Sequence, residues 1–166
     1  MASGKPIVGQ ISFISFIPQI ILISLLLYLF FQLQPVFNID RSTSISLALL
    51  TFYIIFLAVR LFLPYNHRKG MRLFKKGEYE AAIKEYEKSN EFFNKHKWID
   101  KYRYIVLLSS SKMPYTEMSL INIAFCNSQL GNGAKAVEYY NKTLQEFPTS
   151  EMAKTALKLI ESTKNA

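Results

Sequence analysis

The sequence predicts an all-α protein: a two-helix transmembrane hairpin over residues 1–63, then a short helical-repeat domain, an α-solenoid, over 64–166. Three observations carry this. No charged side chain occurs from Pro6 to Ile39 or from Ser42 to Val59. Small residues recur at matching places in two downstream stretches, Gly70 to Ala82 and Ala124 to Ala136. Of 20 Lys and Arg, set against 12 Asp and Glu, a cluster follows directly on the second apolar segment. Uncharged runs this long exclude an ordinary one-domain soluble enzyme, and they leave only 64–166 for one small domain in water. The single cysteine cannot close an internal disulfide, so nothing requires an oxidising compartment.

The first span is expected over 11–31, where only Ser12, Ser15, Pro18, Gln19 and Ser24 are not apolar. As a helix it would extend about 31 Å, the thickness of a bilayer's hydrocarbon core. Pro18 falls in its first turns, where it can kink a helix without ending it. The second span is expected over 45–63, broken only by Ser46, Thr51 and Arg60, whose guanidinium can snorkel to the headgroups. Between them, 32–44 carries Pro35, Asn38, Asp40 and Arg41 and suits the outer turn of a hairpin. A cleavable signal peptide has a shorter apolar run and a small-residue cleavage site, which is not seen here. Two buried core helices of this length would need more protein around them than 64–166 supplies.

Lipid is therefore the first expected partner. Arg60, Arg68, Lys69, Arg72, Lys75 and Lys76 lie beside the second span, Lys5 and the amino terminus precede the first, and Arg41 in the turn is offset by Asp40. This bias puts both termini in the cytoplasm. Compactness and the lack of an organelle signal favour a bacterial cytoplasmic membrane. Residues 68–76 supply +5 of the formal +8, whereas 77–166 hold 12 basic and 11 acidic residues. So the charge is juxtamembrane and suits anionic lipid, and no nucleic-acid partner is expected. Neither span has a mid-membrane Asp, Glu, Lys or His; Ser12, Ser15, Gln19, Ser24, Thr51 and Tyr53 can pair with backbone or the other helix, which suits an anchor better than an ion path.

Downstream, Gly70, Gly77, Tyr79, Ala82, Ile83 and Tyr86 mark a short helix, a glycine turn and a second helix. Ala124, Gly131, Ala136, Val137, Tyr140 and Pro148 repeat the pattern. Together they resemble the tetratricopeptide repeat family, whose unit is a helix–turn–helix of about 34 residues. The resemblance places Gly70 and Ala124 at the small site of the first helix, Gly77 and Gly131 at the turn, Ala82 and Ala136 at the small site of the second, and Tyr86 and Tyr140 against a neighbouring helix. Pro148 closes unit two, but Asn94 stands at that place in unit one; Ser89 replaces a usual alanine, Lys69 a leucine, Asn127 a large apolar residue and Gly133 an aromatic. The units are expected at about 64–94 and 115–148, with a capping helix at 150–162 whose face includes Met152, Thr155, Ala156, Leu159 and Ile160.

The insertion, about 95–114, is the chain's own. Trp98, Ile99, Tyr102, Ile105 and Val106 recur at helical spacing among Lys95, His96, Lys97, Lys101, Arg103 and Lys112, with Asp100 the one acid. Packing on the repeats is the first reading; an aromatic, basic face resting on a membrane is the second. No catalytic chemistry stands out. His67, His96 and Cys126 lie too far apart along the chain to fit a metal-ligand spacing, so neither a metal nor a cofactor is expected, and Cys126 suits a buried helix. Gly131-Asn-Gly133 follows a helix, unlike a phosphate loop, and the glutamates of 78–91 alternate with Lys84 and Lys88 as on a solvated face.

For function, the resemblance implies protein binding rather than catalysis. It puts the first helices along a groove for a partner peptide or helix: His67, Met71, Phe74 and Lys75 from unit one, and Met118, Ile121, Asn122, Phe125, Ser128 and Gln129 from unit two. Only Lys75 and Asn122 approach the set that clamps a terminal carboxylate in the family, so a mostly apolar groove is expected. The protein then reads as a membrane-anchored adaptor for an unnamed protein. The rival is an accessory subunit of a transport or envelope complex whose hairpin makes the specific contacts.

Overall fold

A computed structural model describes residues 12–164, which are all-α with no strand among them. They divide into two units: 12–63 with 102–112, and 64–101 with 113–164. Lys5, the amino terminus and Ile11, which entered the topology and first-span expectations, lie outside the described residues.

In the hairpin unit a 3₁₀ turn, Phe13–Ser15, leads into α1, Phe16–Phe37, and α2 runs Arg41–Phe62. Pro18 is the third residue of α1, where its missing N–H has no partner within the helix to lose. The expected loop over 32–44 contracts to 38–40, because both helices continue into it and are capped there. Asn38 turns left-handed at φ 51°, and the N–H groups of Asn38 and Ile39 both donate to Gln34 O. Asp40 then caps α2, its carboxylate accepting from Thr43 N at 3.0 Å and Thr43 Oγ1 at 2.5 Å. These bonds with Thr43 hold the Asp40 carboxyl below the ordinary carboxylate range. Where α1 and α2 pack, Ser44 and Ala48 are buried one turn apart, small enough to let the helices approach.

Within this unit α6, Arg103–Val106, and the segment to Lys112 pack beside α1. Ser12 N donates to Ser110 O at 2.7 Å and Gln19 Nε2 to Leu108 O at 3.4 Å.

The repeat unit runs α3 (Tyr65–Lys75), α4 (Tyr79–Lys95), α5 (Lys97–Lys101), α7 (Tyr115–Gln129), α8 (Gly133–Glu146) and α9 (Glu151–Lys164). Each long helix packs on the next, α3 on α4, α4 on α7, α7 on α8 and α8 on α9, the order of a solenoid. The two glycine turns are built alike. Gly77 and Gly131 sit at φ 79° and 76°, a left-handed conformation that costs glycine little. Around them Glu78 N donates to Leu73 O and Gly77 N to Phe74 O; Asn132 N donates to Asn127 O and Gly131 N to Ser128 O. The same Schellman bonds thus recur with the same offset as the sequence pattern.

Gly70 is buried at the α3–α4 crossing, and a Cβ there would stand 2.9 Å from two ring carbons of Tyr86, itself fully buried. Phe74, Ala82, Tyr86, Ile123 and Cys126 form one core cluster; Ile121, Ala124, Ala136, Tyr140 and Ala153 form a second, so α7 contributes to both. A side chain such as Ile121 or Ile123 contributes about 1.5–3 kcal/mol by its burial.

The first turn of α7 is closed from the insertion. Asp100 on α5 accepts from Tyr115 N at 2.7 Å, Thr116 N at 2.9 Å and Thr116 Oγ1 at 2.8 Å. Three donors on one buried carboxylate explain why Pro114, at the cap position, needs no side chain to serve it. The insertion is therefore shared: its first part belongs to the repeat unit and its second, 102–112, to the hairpin unit.

Two substitutions probe this packing. Gly70→Val drives a branched side chain into the Tyr86 ring and should destabilise the repeat unit by about 1–3 kcal/mol. Asp100→Ala leaves the α7 donors unpaired in a buried place, a loss on the order of 2 kcal/mol. Thermal melts of the full chain, followed by near-ultraviolet circular dichroism, should show both; unchanged midpoints would contradict the packing.

Candidate functional site

The residues expected to line a groove go to two different places. His67, Phe74, Met118, Ile121 and Asn122 are buried, because α3 and α7 are covered by α4 and α7 also by α8. Asn122 is 1% exposed, and neither polar atom of its amide has a hydrogen-bond partner. Met71 is half-buried with its sulfur 3.9 Å from the Tyr86 hydroxyl, while Lys75 and Gln129 are exposed. Phe125 and Ser128, at the end of α7, do border open space.

That space is an apolar hollow of about 440 Å³ between α7, α8 and α9. Phe125, Tyr140, Met152, Ala156, Leu159 and Ile160 supply its apolar lining, with Ser128, Thr155 and Glu151 at polar positions. Ser128, Thr155 and Ala156 leave room where larger side chains would fill it. Met152 and Leu159 are 40% and 59% exposed. Glu151 pairs with Lys154 at 3.0 Å on the exposed side. The residues from Met152 to Ile160 were legible as one face of a final helix, but nothing in their spacing says that α7 leaves them uncovered.

The remaining reactive groups are quiet. Burial pushes the Cys126 thiol up to about 12, so it is not a nucleophile near neutrality. Tyr140 is raised to about 12, first by burial. Glu85 is nearly buried and accepts from Lys69 and Lys88, both at 3.0 Å. Burial raises its carboxyl, but the two lysines outweigh that and leave it low. Of the basic residues between 60 and 76 in the sequence, Arg72, Lys75 and Lys76 are exposed and Arg60 lies 5.4 Å from the centre of the Phe56 ring.

Paired helices stacked about left-handed glycine turns, with an apolar hollow in place of a polar cleft, define a helical-repeat binding protein. Residues 63–96 match the family model of the tetratricopeptide repeat, so the α3–α4 pair is such a repeat. No curated protein and no solved structure matches the chain. A tetratricopeptide repeat is a module of protein–protein interaction, and that is the kind of work this one supports.

His67 gives the repeat a measurable signature. Its ring lies between Tyr86 and Tyr115, at centroid distances of 5.5 and 5.3 Å, with Nδ1 3.5 Å from Ser119 Oγ. Ser119 in turn donates to Ser89 at 3.0 Å. Burial lowers the imidazole from 6.5 to about 4, so it folds neutral. Above 6.5 both folded and unfolded chains hold it neutral and nothing is lost. As pH falls from 6.5 towards 4, only the unfolded chain takes the proton, and stability drops by up to about 3 kcal/mol. Denaturant titrations at a series of pH values should show that loss, and His67→Phe should remove this part of it.

Proposed function

We propose that the protein is a membrane-anchored adaptor whose repeat unit holds a partner protein through the α7–α9 hollow. The observation that carries the binding half is the hollow itself: apolar, open, and set in a module whose family binds proteins. A partner helix or extended segment that inserts one or two large apolar side chains would cover Met152 and Leu159 and exclude water from Phe125 and Ile160. Of the groove residues expected from sequence, this reading retains Phe125 and Ser128, adds the α9 face, and leaves Met71, Lys75 and Gln129 outside the hollow.

The anchoring half rests on the hairpin. The stretches Phe13–Phe37 and Arg41–Phe62 are long and apolar enough to cross a membrane. Few of their side chains are covered by protein: Phe13 is 84% exposed and Phe62 77%. Exposed apolar surface on this scale opposes solution in water and is satisfied by lipid. Arg68, Lys69, Arg72, Lys75 and Lys76 after the second span favour a cytoplasmic repeat unit beside anionic headgroups. Tethering raises the local concentration of the partner, so a shallow hollow serves with modest affinity.

Photo-crosslinking tests the hollow. A benzophenone amino acid at Met152 in native membranes should give a few discrete protein adducts. Leu159→Glu, which places a charge in the hollow while leaving the core intact, should reduce them about tenfold or more. Adducts that persist unchanged in Leu159→Glu, or none at all at Met152, would refute the assignment.

A further inference from the structure

The second half of the insertion is built unlike a solvent loop. Leu108 holds φ 47°, a left-handed conformation that is an outlier for a bulky side chain and is maintained only where surroundings fix it. What fixes it is visible. Its carbonyl accepts from Gln19 one turn inside α1, and two residues on, Ser110 O accepts from Ser12 N just before α1 begins. The segment's own polar groups are closed inwards as well. Arg103, 9% exposed, donates through Nε to Ser111 O at 3.0 Å and also to Lys112 O, while its carbonyl accepts from Leu107 N and Ser109 N. Leu107 and Leu108 are buried. Yet Tyr102 and Ile105, on the same short stretch, are 50% and 62% exposed.

Backbone groups paired within the segment or to a span, with large apolar and aromatic side chains left outside, is what a boundary between water and lipid demands. We propose that residues 102–112 form a membrane-interface collar at the N-terminal end of α1, seating Tyr102 and Ile105 in the headgroup–acyl boundary. This rests on the hairpin's being a membrane anchor. The bilayer is the occupant because the segment is hydrogen-bonded to the first turns of α1, which fixes its depth: Gln19 lies one turn past the start of α1, about 5 Å along its axis. The exposed surface of Phe13 and Ile14, in the 3₁₀ turn before α1, and of Ile17, in its first turn, belongs to the same unit and meets lipid at that same level. Tyrosine suits this zone, its ring apolar and its hydroxyl able to reach water, and the exposed Lys112 can meet anionic headgroups. The collar would fix the tilt and height of α1 and so the level at which the chain leaves the bilayer.

The test uses the full chain in vesicles of phosphatidylcholine and phosphatidylglycerol. Trp98 is the sole tryptophan, so Trp98→Phe supplies a silent background. On it, Tyr102→Trp should fluoresce with a blue-shifted maximum and lose most of its emission when lipids are brominated near the headgroup. Leu26→Trp, halfway along α1, should be quenched instead by bromines deep in the acyl chains. A nitroxide on Ile105→Cys supplies a second measurement, and should be more accessible to oxygen than to a water-soluble nickel complex. If the probes at 102 and 105 read water, or are shielded from water and lipid alike as by a protein partner, while Leu26→Trp reads lipid, the collar is refuted and the anchor stands. If Leu26→Trp also escapes the bromines, the anchor fails and the collar with it.

Discussion

The carboxylate of Asp100 holds three donors at the first turn of α7, and α7 is the helix on which both repeat-unit cores are built. From Thr116 to Ala124 every residue of α7 is buried. A helix covered on all sides cannot leave its end groups to water. Its N-terminal donors must be met inside the protein, and the insertion delivers the group that meets them. This explains why a repeat domain of this size carries additional chain between its units. The insertion is not a spacer: without Asp100 the start of α7 would be a cluster of unpaired buried donors.

The hairpin unit obeys the same rule. Where the surroundings are apolar, unpaired backbone groups are costly, and the joints of this unit are closed accordingly. Asn38 and Asp40 finish one helix and begin the next within a single tight turn, with Asn38 and Ile39 sharing Gln34 O and Asp40 holding Thr43. Between 102 and 112, Arg103 and Gln19 take up carbonyls that a solvent loop would leave to water.

Much of this was legible in the sequence because period and composition report local structure directly. The two apolar runs, the twin glycines at 77 and 131 and the small residues at 70, 82, 124 and 136 each follow from a steric or solvation requirement of a single element. The hairpin turn was read too long, since Pro35 and Arg41 signal breaks that capping by Asn38 and Asp40 moves inwards. What the sequence did not show was which faces remain uncovered. Met118, Ile121 and Asn122 have the spacing of an open first helix, and only the packing of both α4 and α8 on α7 buries them. Asp100 gave no local sign of its role because its partners, Tyr115 and Thr116, belong to a later helix. The division of the insertion was hidden for the same reason: the bonds that tie 102–112 to its unit come from Ser12 and Gln19, at the far end of the chain.

The hollow lies where α7, α8 and α9 meet. In a solenoid each helix pair packs on the next. Here α9 stacks on α8 through Ala153, with Ala156, Leu157 and Ile160 packed against the same cluster, and Ala156 and Ile160 line the hollow together with the more exposed Met152 and Leu159. On α9 the charges of Lys154, Lys158 and Glu161 keep to other positions, and the apolar stripe remains open beside Phe125. Small residues at 128, 155 and 156 shape the hollow as a recess rather than a flat patch. A recess admits a protruding side chain and resists a second flat surface, which is the geometry the proposed partner contact requires.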